Sequence, residues 1–109
     1  MYEEALKCHY EALDMRKKTL PPEHPDIAVS FNNIGLVYYR QEKLDKAIDY
    51  FNQTLEIEKK IMKSNNPSLI ITLNNIGYVY ASLGQYDQAF IHFRGTITNF
   101  KFRFILISF

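Results

Sequence analysis

The sequence predicts an all-α fold, a solenoid of antiparallel helix pairs. Three observations carry that prediction. The stretch Phe31-Asn32-Asn33-Ile34-Gly35-Leu36-Val37-Tyr38 returns as Leu73-Asn74-Asn75-Ile76-Gly77-Tyr78-Val79-Tyr80, 42 positions later. Its flanks return at the same offset, with Pro25 matched by Pro67, Asp45 by Asp87 and Ala47 by Ala89; between 24–48 and 66–90, 9 of 25 positions are identical. Within each copy the apolar residues recur at spacings of three and four, the period of a helix with one buried face. A fixed internal period of this size marks stacked structural units.

Residues 2–20 read as the first helix. Ala5, Leu6, His9, Ala12 and Leu13 share a face, Lys17 and Lys18 suit the negative end of the helix dipole, and Pro21-Pro22 stops it. Pro25 fits the first position of the second helix, where a missing amide costs nothing. That helix is predicted to reach about Arg40 and to bury Ala28, Phe31, Ile34, Gly35 and Tyr38. A helix-interior glycine costs about 1 kcal/mol relative to alanine, so Gly35 implies close approach of a neighbour. Gln41-Glu42-Lys43 leaves room only for a tight reversal.

The third helix is predicted from Leu44 to about Lys63, with Ala47, Ile48, Phe51 and Leu55 inward and Asp49, Glu56, Glu58, Lys59 and Lys60 facing water. Asn66 and Pro67 repeat the start signal for a fourth helix, which Gly84 ends. A fifth starts at Tyr86 and carries Ala89, Phe90 and Phe93. After Arg94 the pattern fails. Gly95, Thr96 and Thr98 weaken a helix, and Phe100, Phe102 and Phe104 alternate with Lys101 and Arg103 as in a strand. Residues 2–94 therefore form the array, as a half unit 2–20 and units 24–62 and 66–94. Residues 95–109 are an apolar tail outside it. A start already within a helix and the abrupt loss of pattern predict a fragment of a longer array that self-associates through this tail.

Composition excludes several function classes. An apolar share of 47% suits a packed core, not a disordered chain. With 13 basic against 12 acidic residues and no basic cluster, nucleic acid is not an expected partner. No apolar run approaches the roughly 20 residues that span a bilayer, so no membrane role is expected. Cys8 stands alone, which fits a reducing, cytoplasmic setting. No catalytic or metal-binding constellation emerges, and no cofactor is expected. His9 occupies the aromatic place of Phe51 and Phe93, His24 opens a helix, and His92 takes the place of Tyr50. Cys8 has no evident base partner.

The pattern Phe31, Ile34-Gly35, Tyr38, Ala47, Phe51, repeated as Leu73, Ile76-Gly77, Tyr80, Ala89, Phe93, resembles the tetratricopeptide repeat. Ordinary copies of that repeat are about 34 residues long; here the period is longer, and a proline comes late, at Pro67. Long copies, Asn32-Asn33-Ile34-Gly35 and Glu23-His24-Pro25-Asp26 are similar to the repeats of kinesin light chains, without that family's motor-binding heptads. HEAT and WD40 units have similar periods; the first lacks this Gly-Tyr-Ala placement and the second needs strands. The resemblance implies a concave groove lined by Val29, Asn32, Leu36, Tyr39 and Arg40 and by Ile71, Asn74, Tyr78, Ala81 and Ser82. It further implies that Asn32 and Asn74 hold an extended cargo peptide, since an amide both donates to and accepts from a backbone. Asn33 and Asn75 fall at a position that is structural across the family. Arg40 is the only cation in the set, which ranks carboxylate-terminal peptides lower. The expected function is a non-enzymatic adaptor that binds a peptide or partner protein. The alternative is a structural spacer or self-associating segment.

Overall fold

A computed structural model describes residues 1–94. Its elements are α1 (Tyr2–Thr19), α2 (Pro25–Arg40), α3 (Leu44–Ile61), α4 (Pro67–Ser82) and α5, which occupies 86–94 of the described residues. The expected self-associating tail, 95–109, lies outside them.

Local chemistry sets each boundary, and the boundaries repeat with the sequence. His24 Nδ1 accepts the Asp26 amide at 3.0 Å at the start of α2, and Asn66 Oδ1 accepts the Ser68 amide at 2.9 Å at the start of α4. A proline follows each cap. At the other end the Lys43 amide reaches back to the Tyr38 carbonyl, as the Gln85 amide does to Tyr80, both at 2.9 Å. This closure needs a left-handed residue one place earlier. Gly84 takes it at φ 77°, and its counterpart Glu42 takes it at φ 62° without a glycine's freedom.

Successive helices pack antiparallel. Arg16 near the end of α1 donates to the Asp26 carbonyl (3.0 Å) and to Ser30 Oγ (2.7 Å) near the start of α2. The Tyr10 hydroxyl meets those of Tyr38 (2.8 Å) and Tyr50 (2.9 Å), one phenol from each of α1, α2 and α3. Burial and its two phenol neighbours push the Tyr10 hydroxyl's pKa well above the ordinary tyrosine value. Tyr38 and Tyr50 stack at 5.7 Å, and the matching pair Tyr80 and His92 sits at 5.3 Å between α4 and α5.

Gly35 meets α3, as its cost in a helix requires. A β-carbon there would lie 2.8 Å from Phe51 Cδ1 and Cε1. Gly77 meets Phe93 of α5 in the same way, at 2.5 Å. The core runs through Ile34, Ala47, Phe51, Ile76 and Val79.

One expectation is corrected. Glu58 does not face water. It is 5% exposed, because α4 crosses the C-terminal half of α3 and covers the continuation of the Phe51–Leu55 stripe. Asp49, Glu56, Lys59 and Lys60 are exposed as expected, and Lys60 pairs with Glu23 at 3.2 Å. Phe90 on α5 is 63% exposed. Its counterpart Ile48 is half-buried against the core, whereas no described helix follows α5.

Candidate functional site

The helices α2 and α4 are the first members of successive pairs, so they run parallel, side by side, with α3 behind them. The edge of α2 carries Val29, Asn32, Leu36 and Tyr39; the facing edge of α4 carries Ser68, Ile71, Asn75 and Tyr78. Between them lies a seam with two compartments.

The compartment near the helix starts is a cleft of about 390 Å³. Val29 and Ile71 stand at its rim, Asn32 and Ser68 on its walls, and Thr54 and Glu58 of α3 on its floor. The compartment near the helix ends is smaller, about 80 Å³, and is formed by Leu36, Tyr39, Phe51, Asn75 and Tyr78. Ile71 and Tyr78 are 57% and 56% exposed, and Val29 and Tyr39 are exposed too. Tyr78 is held edge-on by Phe93 at 5.2 Å, so its ring is positioned without being covered.

Of the residues the resemblance implied, Val29, Asn32 and Ile71 meet in the larger compartment, and Leu36, Tyr39 and Tyr78 in the smaller. Arg40 stands further on, beside Tyr39 and Ser82. Asn74 is half-buried and lines neither compartment; Asn75, the residue after it, lines the smaller one. Equivalent positions still contribute from both helices, Val29 with Ile71 and Leu36 with Tyr78, but at the asparagines α2 supplies Asn32 and α4 supplies Asn75.

Glu58 was missed as a seam residue. Burial raises its carboxyl above the ordinary glutamate range, with the Thr72 hydroxyl beside it working the other way. That hydroxyl also donates to the Ser68 carbonyl at 3.0 Å, so the carboxyl competes with a backbone acceptor for its one proton. Glu58 Oε1 is buried with no hydrogen-bond partner among the described residues. Spacing held the signal, because Phe51, Leu55 and Glu58 fall on one helical stripe.

A parallel pair of first helices with an apolar, amide-walled seam defines a helix-pair solenoid of the protein-interaction kind. The sequence matches the tetratricopeptide repeat over residues 1–60 and 33–101, and the chain belongs to that family. The family is a non-enzymatic interaction scaffold, and the chain is a protein–protein interaction repeat module. Its fold is similar to that of a Podosopora anserina protein described as a kinesin light chain with nearly identical TPR-like repeats (TM-score 0.81, 21% identity, 90% of this chain and 46% of that one). It is also similar to BtubC (BKLC) from P. vanneervenii (TM-score 0.79, 20% identity, 92% and 39%). The apo form of RapI matches with a TM-score of 0.78 and 32% identity over 90% of this chain and 34% of that one. The chain therefore spans less than half the length of these structures. No curated protein matched. Among the described residues, no helix is long and apolar enough to cross a membrane.

Proposed function

We propose that the α2–α4 seam holds an extended peptide segment of a partner protein, and that the chain acts as a cytoplasmic adaptor of the kinesin-light-chain-like kind. The array is taken as 2–94. One observation carries this: Val29, Tyr39, Ile71 and Tyr78 stand uncovered along two facing edges, over clefts walled by Asn32 and Asn75. Apolar side chains flanking amides suit a guest whose side chains are buried while its backbone is hydrogen-bonded. Burying a side chain the size of Ile71 contributes about 1.5–3 kcal/mol, before ordering costs.

The test is a titration of the full chain with peptides selected from a short random-peptide library. Two double variants are compared, Asn32→Ala with Asn75→Ala, and Asn32→Ala with Asn74→Ala. The first is expected to weaken binding by more than about tenfold, a loss of roughly 1.4 kcal/mol or more. Unchanged affinity in both variants, with the fold intact, refutes the seam as the binding site. If only the second variant weakens binding, the guest lies along the Asn32–Asn74 line instead.

A second reading has its own support. Tyr86, Phe90 and Ile91 are exposed together on α5, at one end of the described stack. Such a face suits a further helix pair or a second copy, because each unit in a stack buries its neighbour. Light scattering over a concentration series tests it. A monomer at all concentrations that still binds peptide leaves the adaptor reading standing alone.

A further inference from the structure

The repeat places one position differently in its two occurrences. Arg16 of α1 and Glu58 of α3 are equivalent, 42 positions apart, as are Ser30 and Thr72, and Asp26 and Ser68. In the first occurrence the guanidinium donates both to Ser30 Oγ and to the Asp26 carbonyl, so the position is satisfied within the fold. In the second the side chain is an acid. A carboxylate cannot donate to the Ser68 carbonyl, Thr72 donates there instead, and Glu58 Oε1 is left without a partner among the described residues. A buried acceptor in that state is costly unless something supplies a donor. Glu58 lies on the floor of a cleft that opens to solvent between Val29 and Ile71.

We propose that the larger compartment of the α2–α4 seam is a selectivity pocket for a lysine side chain of the guest peptide, its ammonium meeting the Glu58 carboxylate. The inference rests on the peptide-groove reading and adds the chemistry of one guest residue. Shape favours lysine. Its slender methylene stem can pass the apolar rim while its head remains polar, as amphipathic side chains do elsewhere. Donor geometry favours it too. A point-charge donor can use a single carboxylate oxygen, whereas an arginine fork is best used by two oxygens presented side by side. The walls add Asn32 Oδ1 as a second acceptor for the ammonium's remaining protons.

The experiment uses the full chain and a positional-scanning library of short peptides, each set with one residue fixed and the others random. Wild-type chain is expected to enrich lysine at one position. Replacing that lysine by norleucine, which keeps the stem and removes the charge, should weaken binding on the order of ten- to a hundredfold. With Glu58→Gln, checked for native helicity, the lysine and norleucine peptides should bind about equally. The norleucine comparison on wild type stands even if the variant does not fold. Peptide binding without lysine enrichment, enrichment of arginine instead, or no norleucine penalty overturns this inference and leaves the groove reading intact. No library member binding at all overturns both.

Discussion

Replacing Gly35 by alanine sets two effects of similar size against each other. Helix propensity alone predicts a gain of about 1 kcal/mol, because glycine is poor in a helix interior. Against it stands the contact across α2 and α3, where the new methyl would lie 2.8 Å from two carbons of the Phe51 ring. Phe51 is fully buried, so packed neighbours resist a turn of its ring except towards the compartment of about 80 Å³ that it lines. Overpacking of this kind costs about 1–3 kcal/mol, and a double contact this short belongs at the upper end. The net expectation is a loss of about 1–2 kcal/mol, which for a domain of this size lowers the melting temperature by roughly 5–15 °C. Thermal and urea denaturation of the full chain followed by circular dichroism measure it. A cycle with Phe51→Leu isolates the contact. The double variant should be more stable than the sum of the single losses predicts by about 1 kcal/mol or more. A higher melting temperature for Gly35→Ala, or strict additivity with Phe51→Leu, refutes the close-packing account. Gly77→Ala should cost less even though its nearest approach is shorter, because Phe93 is only half-buried and can swing outward.

Glu58→Gln should stabilise the chain at neutral pH. The carboxyl's folded-state pKa is raised by burial, so the stability linked to its protonation is complete below the unfolded glutamate pKa and is lost as pH rises through the folded value. The difference between variant and wild type should therefore shrink towards zero in acid; a pH series of denaturation midpoints checks this. Glu42→Gly should stabilise by about 0.5–1 kcal/mol, since it relieves a left-handed residue at φ 62° and restores the residue found at the equivalent Gly84. His24→Ala should cost about 1 kcal/mol through loss of the α2 cap, whereas His24→Asn, which copies Asn66, should be neutral or better; both are read from urea midpoints.

The 42-residue offset made most of the fold legible, because each feature could be read twice. Pro25 and Pro67 fixed the helix starts, and Gly35 and Gly77 fixed which neighbour comes close. The offset could not show what happens between copies. Asn74 looked like Asn32 by its place in the repeat, yet it lines neither compartment, while its neighbour Asn75 lines the smaller one. Glu58 was hidden by its companions, since a stretch holding Glu56, Lys59 and Lys60 reads as a solvated face. Its burial comes from α4 crossing the far end of α3, a contact between units that no single unit encodes. Phe90 shows the converse. An apolar residue on the inward pattern is buried only if a following helix covers it, and helix periodicity carries no information about that.

The phenol cluster of Tyr10, Tyr38 and Tyr50 gives the seam unequal supports. With the Arg16 contacts it ties α1 to α2 near both ends of α2 and joins α3 at the phenol end, so α2 cannot slide along α1 without breaking several bonds at once. On the other side Tyr78 rests against Phe93, a ring itself only half-covered. In the proposed groove a guest wedged between them would push on one well-tied jaw and one compliant jaw, and adjustment to guests of different bulk would fall to the α4–α5 side.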